Sequence, residues 1–164
     1  MLTKLFDTMA KMGIWIRLND TRTDPPSEQG RTWGPAVDDF VLSLANSGEN
    51  SLSVLIKNTN EATRRASIPD WLRYFHLHVT KPDGSAATLK PYGERVLSDP
   101  RLDRAVIREF SAGTPVGAEI PMGAIYDLKS RGSYRVHVSC PVPGRPDSGA
   151  LISNEISIPG TPSG

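Results

Sequence analysis

The sequence is short of cysteine, of net charge and of long apolar runs. Cys140 is the only cysteine among 164 residues, so no disulfide can form within the chain and the framework of small secreted domains is absent. The 19 basic and 18 acidic residues leave a net charge of +1. Such a balance gives no field that would attract a polyanion, so nucleic acid is not an expected partner. No run has the length and apolarity of a transmembrane segment.

Catalytic signatures are also missing from the chain. It contains no Gly-x-Ser-x-Gly elbow, no His-Glu-x-x-His helix, no Gly-x-x-x-x-Gly-Lys-Ser/Thr loop and no Cys-x-x-Cys pair. Cys140 and His137 are three apart on a predicted strand, so their side chains would point to opposite faces and could not act as nucleophile and base. We therefore expect a non-enzymatic protein in which Cys140 is a buried structural thiol.

Proline and glycine, in contrast, are plentiful, with 14 residues of each. They imply many turns between short elements. Apolar and polar residues alternate over several short stretches, as they do in half-buried strands, and no helical crossovers separate these stretches. The chain is long enough to bury one core without covalent staples. These features predict an antiparallel β-sandwich.

The pattern divides the chain into three parts. Leu2, Leu5, Phe6 and Met9 have the spacing of one apolar helix face, which predicts a short helix to about residue 12. A short strand at 14–18 and a polar loop complete a segment at 1–34. The sandwich is expected at 35–159, and 160–164 reads as a loose tail. Charged residues interrupt the apolar N-terminal run, so no signal peptide is visible.

Within the sandwich, alternation predicts strands at 40–45, 51–58, 71–80, 87–91, 106–110, 117–128, 134–140 and 151–158. Pro121 must lie at an edge or bulge of its strand. Ser98-Asp99-Pro100 predicts a single helical turn that leads into the strand at 106–110. The segments 58–69, which carries an exposed Arg64-Arg65 pair, and 141–149 read as polar or proline-rich loops.

One corner sets the register of this arrangement. Ser130-x-Gly132-x-Tyr134 approximates the tyrosine corner of immunoglobulin-like sandwiches, in which the Tyr hydroxyl bonds the backbone a few residues upstream. Tyr134, Val136, Val138 and Cys140 would then point inward, and Trp71 would pack in the core. The predicted fold is all-β: an immunoglobulin-like antiparallel β-sandwich of about 7–9 strands with a short N-terminal helix.

Six short motifs carry a resemblance to a known group. They are Trp33-Gly-Pro-Ala-Val37, Leu52-Ser-Val-Leu-Ile-Lys-Asn58, Pro82-Asp-Gly84, Tyr126-Asp-Leu128, Gly132-Ser-Tyr134-Arg-Val136 and Ser153-Asn154. In this order they are similar to uncharacterised bacterial proteins with an immunoglobulin-like β-sandwich, and distantly similar in architecture to BsuPI-type proteinase inhibitors. The resemblance implies an exported protein, periplasmic or at the cell surface, and it transfers no catalytic residue.

A histidine cluster is the sharpest candidate for chemistry. His76 and His78 are two apart on one predicted strand and so share a face, and His137 lies on the strand expected beside it. Three neutral imidazole nitrogens with an open fourth position would suit Zn²⁺ or Cu²⁺. The alternative is that the three are ordinary surface histidines on an exposed sheet. A slip of one residue would turn His137 inward and remove the site.

Three functions therefore compete. The preferred one is a binding module, an accessory protein of the cell envelope, that recognises a protein or envelope component. It would use the loops at 58–69 and 141–149, together with Tyr74 and Arg135 on the outward face. The second is a proteinase inhibitor that acts through one exposed loop. The third is a metal-binding protein that uses the histidine cluster.

Overall fold

The computed structural model describes residues 30–161. This part of the chain is mostly β, with several antiparallel sheets, which is consistent with the predicted all-β sandwich. The strands are β1 (Phe40–Gly48), β2 (Ser51–Asn58), β3 (Arg64–Ile68), β4 (His76–Thr80), β5 (Val106–Phe110), β6 (Pro115–Ile120), β7 (Ser133–Val142), β8 (Arg145–Ile152) and β9 (Ile156–Pro159). The helices are α1 (Trp71–Tyr74), α2 (Pro91–Leu97) and α3 (Met122–Ile125), with a 3₁₀ turn at Pro100–Asp103. The predicted helix to residue 12 and strand at 14–18 lie outside the described residues.

The strands form two larger sheets and one ribbon. One sheet has the order β1-β2-β6, and the other has β4 on one side of β7 with β8 and β9 on the remaining side. The two-stranded β3–β5 ribbon stands apart from both sheets. All of these strand pairs are antiparallel, so short connections suffice. Within residues 30–161, no helix has the length and apolarity needed to cross a membrane.

One core collects the inward faces of these sheets. Phe40, Leu42 and Leu44 of β1 are at most 1% exposed, as the alternation predicted, and their neighbours Val41 and Ala45 are half-buried. Leu52, Val54 and Ile56 of β2 are buried in the same core. Burial of each such side chain stabilises the fold by about 1.5–3 kcal/mol relative to an exposed position.

The predicted corner and the register of β7 are confirmed. The Ser130 backbone N–H donates to the Tyr134 hydroxyl oxygen at 2.9 Å, and Tyr134 is 1% exposed. Gly132 has φ +105°, a conformation that side chains other than hydrogen rarely allow. Val136, Val138 and Cys140 are buried with Tyr134. Burial also raises the pKa of the Cys140 thiol to about 12, so it is protonated at neutral pH and is not a nucleophile.

The predicted strand at 71–80 is wrong in its first half. Residues Trp71–Tyr74 form α1, because the Asp70 side chain accepts from the Leu72 backbone N–H and caps a helical turn. Trp71 is buried as predicted, at 2% exposure, and its ring stacks on Phe75 at 5.0 Å between centroids. Tyr74 was expected to point outward but is buried at 5% exposure, since a helix does not alternate its faces.

Three further predictions need correction. The segment at 64–68 is not a loop but β3, which pairs with β5. The expected return strand at 87–91 is reduced to one isolated bridge, between Leu89 and Tyr126, before α2 begins at Pro91. The strand expected at 117–128 is β6, which begins at Pro115 and ends at Ile120 because Pro121 interrupts it and α3 follows. The helical turn before the strand at 106–110 is confirmed, with Asp99 as its cap.

The segment at 141–149 is only partly a loop. Strand β7 continues to Val142 and β8 begins at Arg145. Pro141 pairs with Ala150 and Val142 pairs with Arg145, so residues 146–149 have no partner on β7 and form an exposed bulge. The last predicted strand, 151–158, is split into β8 and β9 by a break at residues 153–155.

Candidate functional site

Two of the three predicted histidine ligands lie side by side. His78 on β4 is directly opposite His137 on β7, and their rings stack with centroids 4.4 Å apart and planes 7° apart. His76 lies two residues away on the same exposed face, opposite Ser139. Among residues 30–161, no group of three or more His, Cys, Asp or Glu side chains could hold a metal ion. The face therefore presents one stacked pair of imidazoles with His76 beside it, and binding of Zn²⁺ or Cu²⁺ by the three stays a prediction.

The histidine pair favours the neutral state of His78. Its Nε2 lies 2.8 Å from the Ser139 hydroxyl oxygen. Desolvation lowers the pKa of His78 below its usual value, and the neighbouring His137 and His76 lower it further. Two stacked imidazoles therefore resist carrying two protons at once. Arg135 projects from the same strand as His137, two residues away, and is exposed.

Tyr74 does not join Arg135 on this face. Its hydroxyl donates to the Pro141 carbonyl oxygen at 2.5 Å, which ties α1 to the end of β7. Burial raises the pKa of Tyr74 far above its usual value, and the nearby Cys140 adds to the effect. The hydroxyl is therefore a permanent donor. The structure places the two predicted binding residues at different sites.

A cleft of about 450 Å³ opens where α1, the end of β3, the start of β4 and the β7–β8 turn meet. We call it the strand-end cleft. It is lined by Ser67, Ile68, Pro69, Arg73, Tyr74, His76, Pro141, Val142, Gly144 and Pro146. Its volume lies within the range of about 300–1,000 Å³ that is usual for ligand pockets. Both segments predicted as recognition loops contribute to it, as do Tyr74 and His76.

Arg73 is the charged residue of the strand-end cleft that sequence reasoning missed. Its Nε lies 2.8 Å from an Asp103 carboxylate oxygen, and its Nη2 donates to the Asp99 backbone carbonyl at 3.3 Å. These contacts hold the guanidinium between α1 and the 3₁₀ turn. The strand predicted at 71–80 gave Arg73 no place in a cleft, and only the Asp70 cap in the sequence signals the helix that places it there.

The bulge at 146–149 is braced from one side by a single carboxylate. Asp38 accepts from the Arg145 guanidinium at 3.0 Å and from the Ser148 hydroxyl at 3.2 Å. Arg64 of β3 lies 3.8 Å from the same carboxylate. Pro146 lines the strand-end cleft on the other side. Residues 146–149 are thus exposed, and Asp38 holds the segment through Arg145 before it and Ser148 near its end.

Comparison with family models, with curated proteins and with solved structures found no match to this chain. The resemblance to bacterial immunoglobulin-like sandwiches therefore stays a prediction. The histidine pair, the strand-end cleft and the bulge are the features from which function can be inferred.

Proposed function

We propose that the chain is a non-enzymatic binding module with an immunoglobulin-like fold that recognises a protein component of the cell envelope through the strand-end cleft. The observation that carries the proposal is the convergence of the two predicted recognition segments on one cleft. Loops and strand ends on a rigid β scaffold are common places for binding residues. The proposal includes an extracytoplasmic location, which the resemblance alone supports.

The chemistry of the cleft suits a partner segment with mixed character. Ile68 and Val142 are buried, so the apolar contact surface comes from Pro69, Pro141 and Pro146. Arg73 and His76 lie beside them and can orient an acceptor group such as a carbonyl or carboxylate oxygen. The Tyr74 hydroxyl is already committed to Pro141 and shapes the wall instead of reaching the ligand. A partner would therefore insert one or two apolar side chains and hydrogen-bond at the rim.

Site-directed photo-cross-linking tests this proposal. A benzophenone amino acid is placed at Ser67, which lines the cleft and is exposed, or at Lys129, an exposed residue that does not line it. We expect one envelope protein to cross-link from position 67 and not from position 129. Ser67→Trp should fill the cleft and weaken that partner's binding by about tenfold or more. Thr63→Trp, which lies outside the cleft, should bind normally. Equal cross-linking from both positions, or unchanged binding by Ser67→Trp, would contradict the proposal.

A proteinase inhibitor is the second candidate, and the braced bulge favours it. Residues 146–149 are exposed and held by Asp38, and a rigid exposed loop loses little conformational entropy when it enters a protease cleft. Inhibition assays with serine and cysteine proteases test it. Asp38→Ala should weaken inhibition by releasing the bulge. Asp39→Ala is a matched control because both residues have positive φ, at 48° and 67°, and so suffer similar backbone strain. The absence of inhibition across the panel would exclude this function.

A further inference from the structure

Strand β5 carries two of the three exposed large hydrophobic side chains in the described part of the chain. Ile107 is 77% exposed and Val106 is 44% exposed. Their strand pairs with β3 on one side and has no second strand partner among residues 30–161. The free edge of such a strand presents backbone N–H and C=O groups that another strand can pair with.

Strand β5 lacks several of the features that usually keep an edge strand from pairing with another chain. It contains no proline or lysine, and its five residues pair with β3 in regular register without a bulge. The two charged side chains of the strand are engaged within the domain. The Arg108 guanidinium lies 4.6 Å from the centroid of the Trp71 ring, and Glu109 contacts Arg65 at 3.4 Å. Neither charge is left to repel an approaching strand.

The charges around β5 indicate the chemistry of the missing strand. Each nearby carboxylate already has an arginine: the ion pairs are Asp99–Arg101, Asp103–Arg73 and Glu109–Arg65. Arg104 is exposed and has no such carboxylate contact within residues 30–161, whereas Arg108 is held against Trp71 and interacts with the Asp70 carboxylate. The surplus is positive, so an acidic strand is favoured. A second copy of this chain would bring the same positive surplus to the same edge.

We propose that the β5 edge binds an extended acidic segment of another protein by strand addition. The backbone of that segment would pair with β5, an apolar side chain would lie against Ile107, and a carboxylate would lie near Arg104. No residue of β5 lines the strand-end cleft. Ser67 of the cleft is, however, the register partner of Ile107, so the two proposed surfaces are neighbours on one ribbon, and variants at Ile107 rather than Ser67 test the β5 edge.

Synthetic peptides test the strand addition. The probe is a fluorescein-labelled heptapeptide of alternating valine and glutamate, and binding to the full chain is measured by fluorescence anisotropy. One control peptide replaces glutamate with lysine, and another is N-methylated at alternate residues so that it cannot donate the hydrogen bonds of a ladder. We expect saturable binding of the probe, about tenfold weaker or no binding of each control, and NMR shift changes confined to the amides of β5.

Matched variants locate the site. Ile107→Lys places a charge on the edge and should weaken probe binding by about tenfold. Ile152→Lys makes the same change at an exposed isoleucine of β8 and should bind normally, and both variants should keep the wild-type melting temperature. Equal binding of the methylated peptide, or no binding of the probe at millimolar concentration, would overturn the proposal. A dimer in sedimentation that Ile107→Lys abolishes would overturn it as well, since the edge would then belong to a second copy.

Discussion

Strands β1 and β5 each lie at the edge of a sheet, but residues 30–161 close only the edge of β1. The Gly34 N–H donates to the Leu42 carbonyl at 2.9 Å, and Trp33 bridges to Ser43. Asn154 completes the closure, because its side chain donates to the Leu44 carbonyl and accepts from the Leu44 N–H, both at 2.9 Å. In β5, the exposed Ile107 and Val106 have no comparable cover in the described residues.

The difference shows how this chain separates stability from recognition. The amide of Asn154 imitates a peptide group and joins the β1 edge to the break between β8 and β9, so that edge cannot accept another chain. Within residues 30–161, the edge of β5 has the same backbone groups without that cover. Asn154→Ala and Gly34→Ala open the closed β1 edge. Tyr134→Phe removes another side-chain bond to the backbone, and the histidine variants test an exposed face where little stability is expected.

Asn154→Ala should have the largest effect. It leaves the N–H and C=O of Leu44 without partners at a residue that is 1% exposed. Each unsatisfied buried group costs about 1–3 kcal/mol, so we expect a loss of about 3 kcal/mol in the free energy of unfolding. Urea denaturation measures it. The control is Asn46→Ala, at an exposed position of β1, which should change stability little. A comparable loss in this control would show that the Asn154 contacts are not the cause.

Gly34→Ala should have the next largest effect. A Cβ at Gly34 would lie 1.8 Å from the Ile152 carbonyl oxygen, a backbone atom that cannot rotate away as a side chain could. The segment that covers β1 would have to move away, at a cost of about 2 kcal/mol. Gly48→Ala is the control, because its added Cβ would meet no atom within 4 Å. Thermal melting compares the two, and equal melting temperatures would refute the close approach.

Tyr134→Phe should cost about 1 kcal/mol, since it removes one hydrogen bond and leaves the ring in the core. The lost partner is the Ser130 N–H at 2.9 Å. Hydrogen exchange at the Ser130 amide should accelerate by more than the loss of global stability explains. Exchange at the β7 amides should accelerate only by the amount that this loss explains. If exchange at Ser130 and at the β7 amides accelerated by the same factor, the loss of global stability alone would explain it, and the corner would not open locally.

The histidine pair should give the smallest effect. Because the folded-state pKa of His78 is lowered, the unfolded state takes up the proton first as the pH falls. Stability should therefore decline as the pH falls through the unfolded value of about 6.5 and level off below the folded value. His78→Gln should flatten this part of the curve of melting temperature against pH, and His76→Gln should flatten it less. An unchanged curve for His78→Gln would exclude the coupling.

The strands with regular alternation could be predicted from the sequence. In β7, four inward residues from Tyr134 to Cys140 follow a corner with its own backbone bond, so the register had two independent signals. This register also placed His137 on the outward face with His76 and His78, but the pairing of His78 with His137 came only from the structure. Their stacking and the distance to His76 depend on side-chain rotation, which the alternation of a strand does not determine.

The strand-end cleft could not be predicted as a whole. Trp71, Leu72, Tyr74 and Phe75 are all buried, and this apolar run, interrupted only by Arg73, fitted a strand as well as a short helix. The Asp70 cap and Pro91 at the start of α2 were the local signals for helices. The cleft also requires β3 and the β7–β8 turn to approach each other across more than 70 residues of sequence, a contact for which a single sequence carries no pattern.

The hydrogen bond from Tyr74 to Pro141 has a kinetic consequence. It connects the two walls of the strand-end cleft through a buried side chain, so the walls cannot separate without exposing the core. A ligand would then meet a cleft that already has its final shape and would not wait for a loop to order. Association rates should consequently vary little among related ligands, and selectivity among them would lie in how long each one stays bound.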